Sequence, residues 1–137
     1  MTTTNETVYV PTDEDILESL HILVRSNDQI RVSRSYFSYT VVNGVVKLVG
    51  NVKTPIVRRA FKDNVLQLAG VNAVDDTELF DDEGILLAVG KVLPFGMRAR
   101  LNHGAVALSG ILPEETSADE MVANVGEIPG VRMVSIS

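Results

Sequence analysis

The chain repeats itself, and that limits the possible folds more than any other feature. The run Val41-Val-Asn-Gly-Val-Val-Lys-Leu-Val-Gly50 returns sixty residues later as Leu101-Asn-His-Gly-Ala-Val-Ala-Leu-Ser-Gly110. At that fixed offset, nine of the thirty-six pairs from 41/101 to 76/136 are identical: Gly44, Val46, Leu48, Gly50, Asn64, Val65, Gly70, Val71 and Val74 each meet their own kind. Average composition would give roughly two or three. Other pairs exchange one apolar residue for another, as in Val41/Leu101, Phe61/Met121 and Leu68/Ile128. A duplicated segment of this length must fold the same way twice, so one small unit has to be explained, not one large one.

Each copy can be read physically. Phe37, Tyr39 and Val41 alternate with Ser38, Thr40 and Val42, the period of a half-buried strand, and Asn43-Gly44 suits a tight hairpin turn because both residues tolerate positive φ. A returning strand is expected over Val45 to Val52. In the second copy Met97, Ala99 and Leu101 alternate with Arg98, Arg100 and Asn102, and His103-Gly104 turns the chain into Ala105 to Leu112. Thr54-Pro55 and Pro113-Glu114-Glu115 then read as helix starts. Val57, Phe61, Val65 and Leu68 form one stripe at helical spacing, mirrored by Met121, Val125 and Ile128, with Gly70 and Gly130 as the expected stops. Val71 to Val74 and Val131 to Ile136 read as closing strands.

An earlier helix is expected from Asp13 to about Val24, with Ile16, Leu20 and Val24 on one face, and its counterpart from Asp82 to about Leu93. That pair is displaced by 69 and not 60, so the first copy carries nine extra residues in the region of Arg25 to Tyr36. The expected fold class is therefore α+β: two repeats of helix-strand-strand-helix-strand, each a three-stranded mixed sheet with two helices on one face. The domain reading is an N-terminal tail at 1–12, a first unit at 13–80 and a second at 81–137.

Composition narrows the chemistry. The 137 residues contain no cysteine, which excludes disulfides, thiolate zinc sites and a cysteine nucleophile. The net charge is −6, and it is uneven: residues 1–75 hold eight basic and eight acidic groups, residues 76–137 four and ten. A broad field for nucleic-acid phosphates is not expected, nor is a Gly-x-x-Gly RNA clamp present. His21 and His103 belong to no spaced ligand pattern and to no serine–acid arrangement, so no catalytic residue, metal or cofactor is expected. The first ten residues show neither the basic start nor the apolar run of a secretion signal, which reads as cytoplasmic. The nearly uncharged run from Gly84 to Met97 falls short of the ~20 apolar residues that span a bilayer.

The order of acidic helix start, alternating strand, Asn-Gly, Val-x-Leu-x-Gly, amphipathic helix and Gly-Val-x-x-Val resembles the BON domain family. The matching pieces are Asn43–Gly50 with Gly70–Val74, and His103–Gly110 with Gly130–Val134, and the two copies cover residues 13 to 137. The resemblance implies a non-enzymatic binding module, found in bacterial envelopes, that engages phospholipid surfaces or other proteins and serves stress tolerance.

Two surfaces are candidates for that binding. Arg58, Arg59 and Lys62 lie opposite the Val57, Phe61 and Val65 stripe and offer a basic helix face to headgroups or an acidic partner. The run from Ile85 to Phe95 is apolar nearly all round, whereas a helix on a sheet needs one apolar stripe. Leu86, Leu87, Lys91, Val92, Leu93 and Phe95 are therefore the first candidates for a lipid or partner surface. The alternative is that the other copy or a second chain covers them, making the protein a self-assembling, homo-oligomeric module without lipid. The acids Asp75, Asp76, Glu78, Asp81, Asp82 and Glu83 read as a solvated linker that runs into the acidic first turn of the next helix.

Overall fold

The computed structural model describes residues 9–137, so most of the expected tail, residues 1–8, lies outside the described residues. The order of elements is α1 (Asp13–Ser26), α2 (Asp28–Arg31), a 3-10 turn (Arg34–Tyr36), β1 (Phe37–Val42), β2 (Val45–Val52), α3 (Pro55–Leu66), β3 (Ala73–Asp81), α4 (Asp82–Gly90), β4 (Met97–Asn102), β5 (Ala105–Gly110), α5 (Ala118–Gly126) and β6 (Met133–Ile136). Two three-stranded sheets result, ordered β1-β2-β3 and β4-β5-β6. In each, a hairpin pairs antiparallel and the last strand returns parallel to the middle one, which makes both sheets mixed. The fold is α+β with two repeats.

The duplication holds residue for residue in the ladders. Phe37 pairs with Gly50 and Val42 with Val45; sixty positions on, Met97 pairs with Gly110 and Asn102 with Ala105. Both turns take the left-handed conformation that a two-residue hairpin requires, at Asn43 and Gly44 (φ 51° and 77°) and at His103 and Gly104 (φ 48° and 80°). Each unit closes on its own core. Ile16, Leu20, Ile30, Val46, Leu48, Val52, Phe61, Val65 and Leu79 form the first. Ile85, Val89, Val106, Leu108, Met121 and Val125 form the second and smaller one. The helix equivalence at 69 is visible in the cores, where Ile16 and Leu20 correspond to Ile85 and Val89 and all four are buried.

Local chemistry explains the boundaries. Thr12 caps α1 through a reciprocal box, its hydroxyl accepting from Asp15 N and the Asp15 carboxylate accepting from Thr12 N. Thr54 caps α3, with Pro55 in its first turn as expected. Four expectations need correction. First, α5 starts at Ala118, because Ser117 offers Glu120 N the acceptor that Pro113 lacks; Pro113 instead opens a turn closed by Thr116 N. Second, α4 ends at Gly90 and not near Leu93: Lys91 N and Val92 N bond back only three residues, to Ala88 O and Val89 O, and a proline at 94 disfavours helical backbone in the residue before it.

Third, α3 and α5 end at Leu66 and Gly126, before the glycines expected to stop them. Gly70 and Gly130 (φ 92° and 91°) serve close approach instead: a Cβ would stand 2.8 Å from Pro11 and 2.6 Å from Phe80, respectively. Fourth, the acidic run is a strand as far as Asp81, while Asp82 and Glu83 open α4 as expected. β3 extends to Asp81 along β2, up to the pair Val52 with Asp81, across an irregularity between Lys47 and Val49. Its acids are matched by cations from β2 and α3, which lets a run that reads as linker join the sheet. Lys47 lies 2.7 Å from Glu78, and Arg58 and Lys62 lie 3.2 and 3.6 Å from Asp76. α4 follows β3 without a linker residue.

Candidate functional surfaces

A carboxylate at the start of each unit's first helix clamps that unit's own hairpin turn. Asp13 accepts from the amides of Asn43 and Gly44 at 2.8 and 2.9 Å, and Asp82 accepts from those of His103 and Gly104 at the same two distances. The two amides of such a turn point outward with no ladder partner, so a bidentate carboxylate satisfies both at once. Asp82 is almost buried, while Asp13 is half-buried.

The second clamp is buried because the two units meet there. His103 is buried, its Nε2 lies 2.9 Å from Ser33 Oγ, and its ring stacks on Tyr36 at 3.9 Å and 8°. Its Nδ1 faces Asn102 Oδ1 at 2.8 Å, and Lys53 Nζ donates to the same oxygen at 3.1 Å. An amide oxygen only accepts, which puts the imidazole proton on Nδ1 and leaves Nε2 to accept from the Ser33 hydroxyl. Arg132 covers the Tyr36 ring at 5.0 Å, and Asn51 Nδ2 donates to Gly130 O at 2.8 Å. Burial, with Lys53 and Arg132 nearby, holds the His103 pKa below the usual imidazole value against the opposing pull of Asp82. Ser33 and Tyr36 both come from the segment by which the first copy is longer. The insertion builds the seam, a role that its polar sequence does not announce.

The basic helix face is largely engaged within its own unit. Arg58 donates through Nε to Leu79 O and through Nη2 to Asp76 O, and it pairs with the Asp76 carboxylate, which also takes Lys62. Arg59 is exposed. The apolar run splits in two. Ile85 and Val89 enter the second core, Leu93 is half-buried against it, and Leu86, Leu87, Lys91, Val92 and Phe95 are exposed, Leu87 at 73% and Phe95 wholly. Ile111 is exposed too, and its amide bonds to Gly96 O next to Phe95 in the chain. Within one chain, the first unit does not cover these side chains.

A third surface escaped the sequence. An open cleft of about 610 Å³ lies between α1 and β1, lined by Leu17, Val24, Phe37 and Tyr39 with His21, Arg25 and Arg34. His21 Nδ1 and Tyr39 Oη are 2.6 Å apart, and burial raises the Tyr39 pKa while Arg25 opposes the rise. Among the described residues no three His, Asp or Glu side chains gather as a metal site would need, and no helix is long and apolar enough to cross a membrane.

No family model and no curated protein matches the chain. Solved structures do. The C-terminal domain of CdsD, described as the structural protein of the type III secretion system of Chlamydia trachomatis, is similar with a TM-score of 0.71 at 18% identity, covering 95% of this chain and 68% of that one. A second structure of CdsD gives 0.72 at 20%, covering 90% of this chain and 61% of that one. The protein therefore has the two-unit α+β fold of a CdsD C-terminal domain.

Proposed function

We propose that this chain is a structural module that acts by assembling with proteins, its own copies first among them, and not by catalysis. The observation that carries this reading is the likeness in fold, over 95% of the chain, to a structural protein of a secretion system. The exposed apolar side chains of one short segment, Leu86, Leu87, Val92 and Phe95, support it, since large apolar groups left on a surface favour a protein contact. Membership of the BON family, with its stress and envelope setting, is a finer reading that rests on the two Gly-framed hairpin motifs alone.

Sedimentation velocity over a concentration series tests the proposal. A mass that rises with concentration, and falls back in Leu87→Glu if the apolar patch contributes, supports assembly. A protein that stays monomeric throughout and floats with phosphatidylglycerol vesicles overturns it in favour of the lipid reading.

A further inference from the structure

The contact between the two units inside the chain joins unlike ends. The first unit offers its foot, where β1 begins and β2 ends: Ser33 and Tyr36 hold His103, Asn51 bonds to Gly130 O and Lys53 to Asn102 Oδ1. The second unit offers its head, the His103-Gly104 turn with the residues around it. A head and a foot are therefore left over in the chain. The free head is the Asn43-Gly44 turn of the first unit, and the free foot is the connection from Lys91 to Gly96 with the end of β5 in the second.

Carried over to the other copy by sixty positions, the seam contacts show what the free ends bring to one another. Asn51 and Gly130 become Ile111 and Gly70, and Lys53 and Asn102 become Pro113 and Val42. The polar partners of the seam give way to apolar ones. Asn51 is buried in the seam at 3%, whereas Ile111, in the same place on the free foot, is 81% exposed. Phe95 in the connection and Val42 at the free head are exposed as well.

The strands show the same omission. β3 runs on along β2 through the pairs Gly50 with Leu79, Asn51 with Phe80 and Val52 with Asp81, and it leads straight into α4. Leu79, 1% exposed, thereby enters the first core. β6 pairs only as far as Leu108 with Ile136, so among the described residues no strand lies beside Gly110 to Leu112 on that side, and the second core has no counterpart of Leu79. The residue that precedes α1 as Leu79 precedes α4 is Val10, sixty-nine positions earlier, and it is 74% exposed. The two lead-in segments already sit alike on the units they enter: Pro11 approaches Gly70 as Phe80 approaches Gly130, and Thr12 and Asp81 each cap their helix.

We propose that the foot of the second unit in one copy docks on the head of the first unit in the next, repeating between chains the contact that joins the units within one. This deepens the assembly reading and rests on it. Val10 of the next copy then lies beside Gly110 to Leu112 and enters the second core as Leu79 enters the first, while Ile111 and Phe95 cover the Asn43-Gly44 turn and Val42. Pro11 donates no ladder bond, so burial of apolar side chains, more than strand pairing, carries the contact. Each docked pair again leaves one free head and one free foot, and the association is open-ended unless its rotation closes a ring.

Blocking one end at a time tests this at side chains that are exposed in the single chain. One variant carries Val10→Lys and Val42→Lys and has no working head; the other carries Phe95→Lys and Ile111→Lys and has no working foot. Lysine lowers the net negative charge, so a loss of association does not come from greater overall repulsion. By sedimentation velocity each variant alone should stay monomeric at concentrations where wild type associates, with the circular dichroism of the folded chain unchanged. An equimolar mixture should form a one-to-one heterodimer and nothing larger, because its intact foot and its intact head lie on different variants. A variant that associates as wild type does, or a mixture that stays monomeric, overturns the end-to-end contact and leaves assembly through another surface standing. A wild-type protein that never associates overturns both.

Discussion

The paired carboxylate clamps allow one structural motif to be measured twice in the same molecule. Replacing Asp82 with alanine removes two charge-assisted hydrogen bonds and leaves the amides of His103 and Gly104 unpaired in a buried site. Hydrogen bonds to a charged group contribute about 1.5–3 kcal/mol each, and a buried donor without a partner costs a comparable amount, so the loss should be about 3–5 kcal/mol. Asp13→Ala removes bonds of the same length, but the bond from Asn43 N is exposed and water can replace the carboxylate. Its cost should be about 1–2 kcal/mol. Urea denaturation followed by circular dichroism gives the two totals, and amide exchange at Gly44 and Gly104 assigns each loss to its own turn. The Asp82 variant should also speed exchange in the Ser33 to Tyr36 segment, which leans on His103. If Asp82→Ala proves no more costly than Asp13→Ala, burial at the seam is not what strengthens the second clamp, and the reasoning fails.

Acid should loosen the seam. The folded-state pKa of His103 is depressed, so its contribution is full above the unfolded value near 6.5 and is lost as pH falls through and below it; His103→Asn, which copies Asn43, should flatten the urea midpoint between pH 7.5 and 5 relative to wild type. A Cβ at Gly104 would lie 2.5 Å from both Asn51 Nδ2 and Gly130 O at a φ of 80°, so Gly104→Ala should cost more than about 2 kcal/mol by thermal melting. Gly90, in the last turn of α4, has nothing within 4 Å of such an atom, and Gly90→Ala should raise stability by about 0.5–1 kcal/mol. Arg58→Ala should expose the β3 edge, lowering stability by about 1–2 kcal/mol and raising association above the wild-type level at the same concentration, measured by light scattering.

What could be read from the sequence follows from what leaves a periodic trace. Hairpins, helix stripes and the duplication are written in the alternation of Phe37, Tyr39 and Val41 and in the spacing of Val57, Phe61 and Val65, and the structure places those residues in half-buried or buried positions. β3 was illegible because its acids are tolerated through contacts made from elsewhere: Lys47, Arg58 and Lys62 are distant in sequence, and no local rule connects them to Asp76 and Glu78. The seam was hidden for the same reason, with Ser33 and His103 seventy positions apart. One trace was present, however. The only change in length between the copies falls at Arg25 to Tyr36, and a segment added to one of two equivalent units has no counterpart to pack as, so it is free to bind what the other unit presents. Comparing the copies position by position exposes such asymmetries, and Arg58 against Ala118 is another: a side chain kept at one sheet edge and dropped at the equivalent edge marks the place where the two otherwise similar units stop being interchangeable.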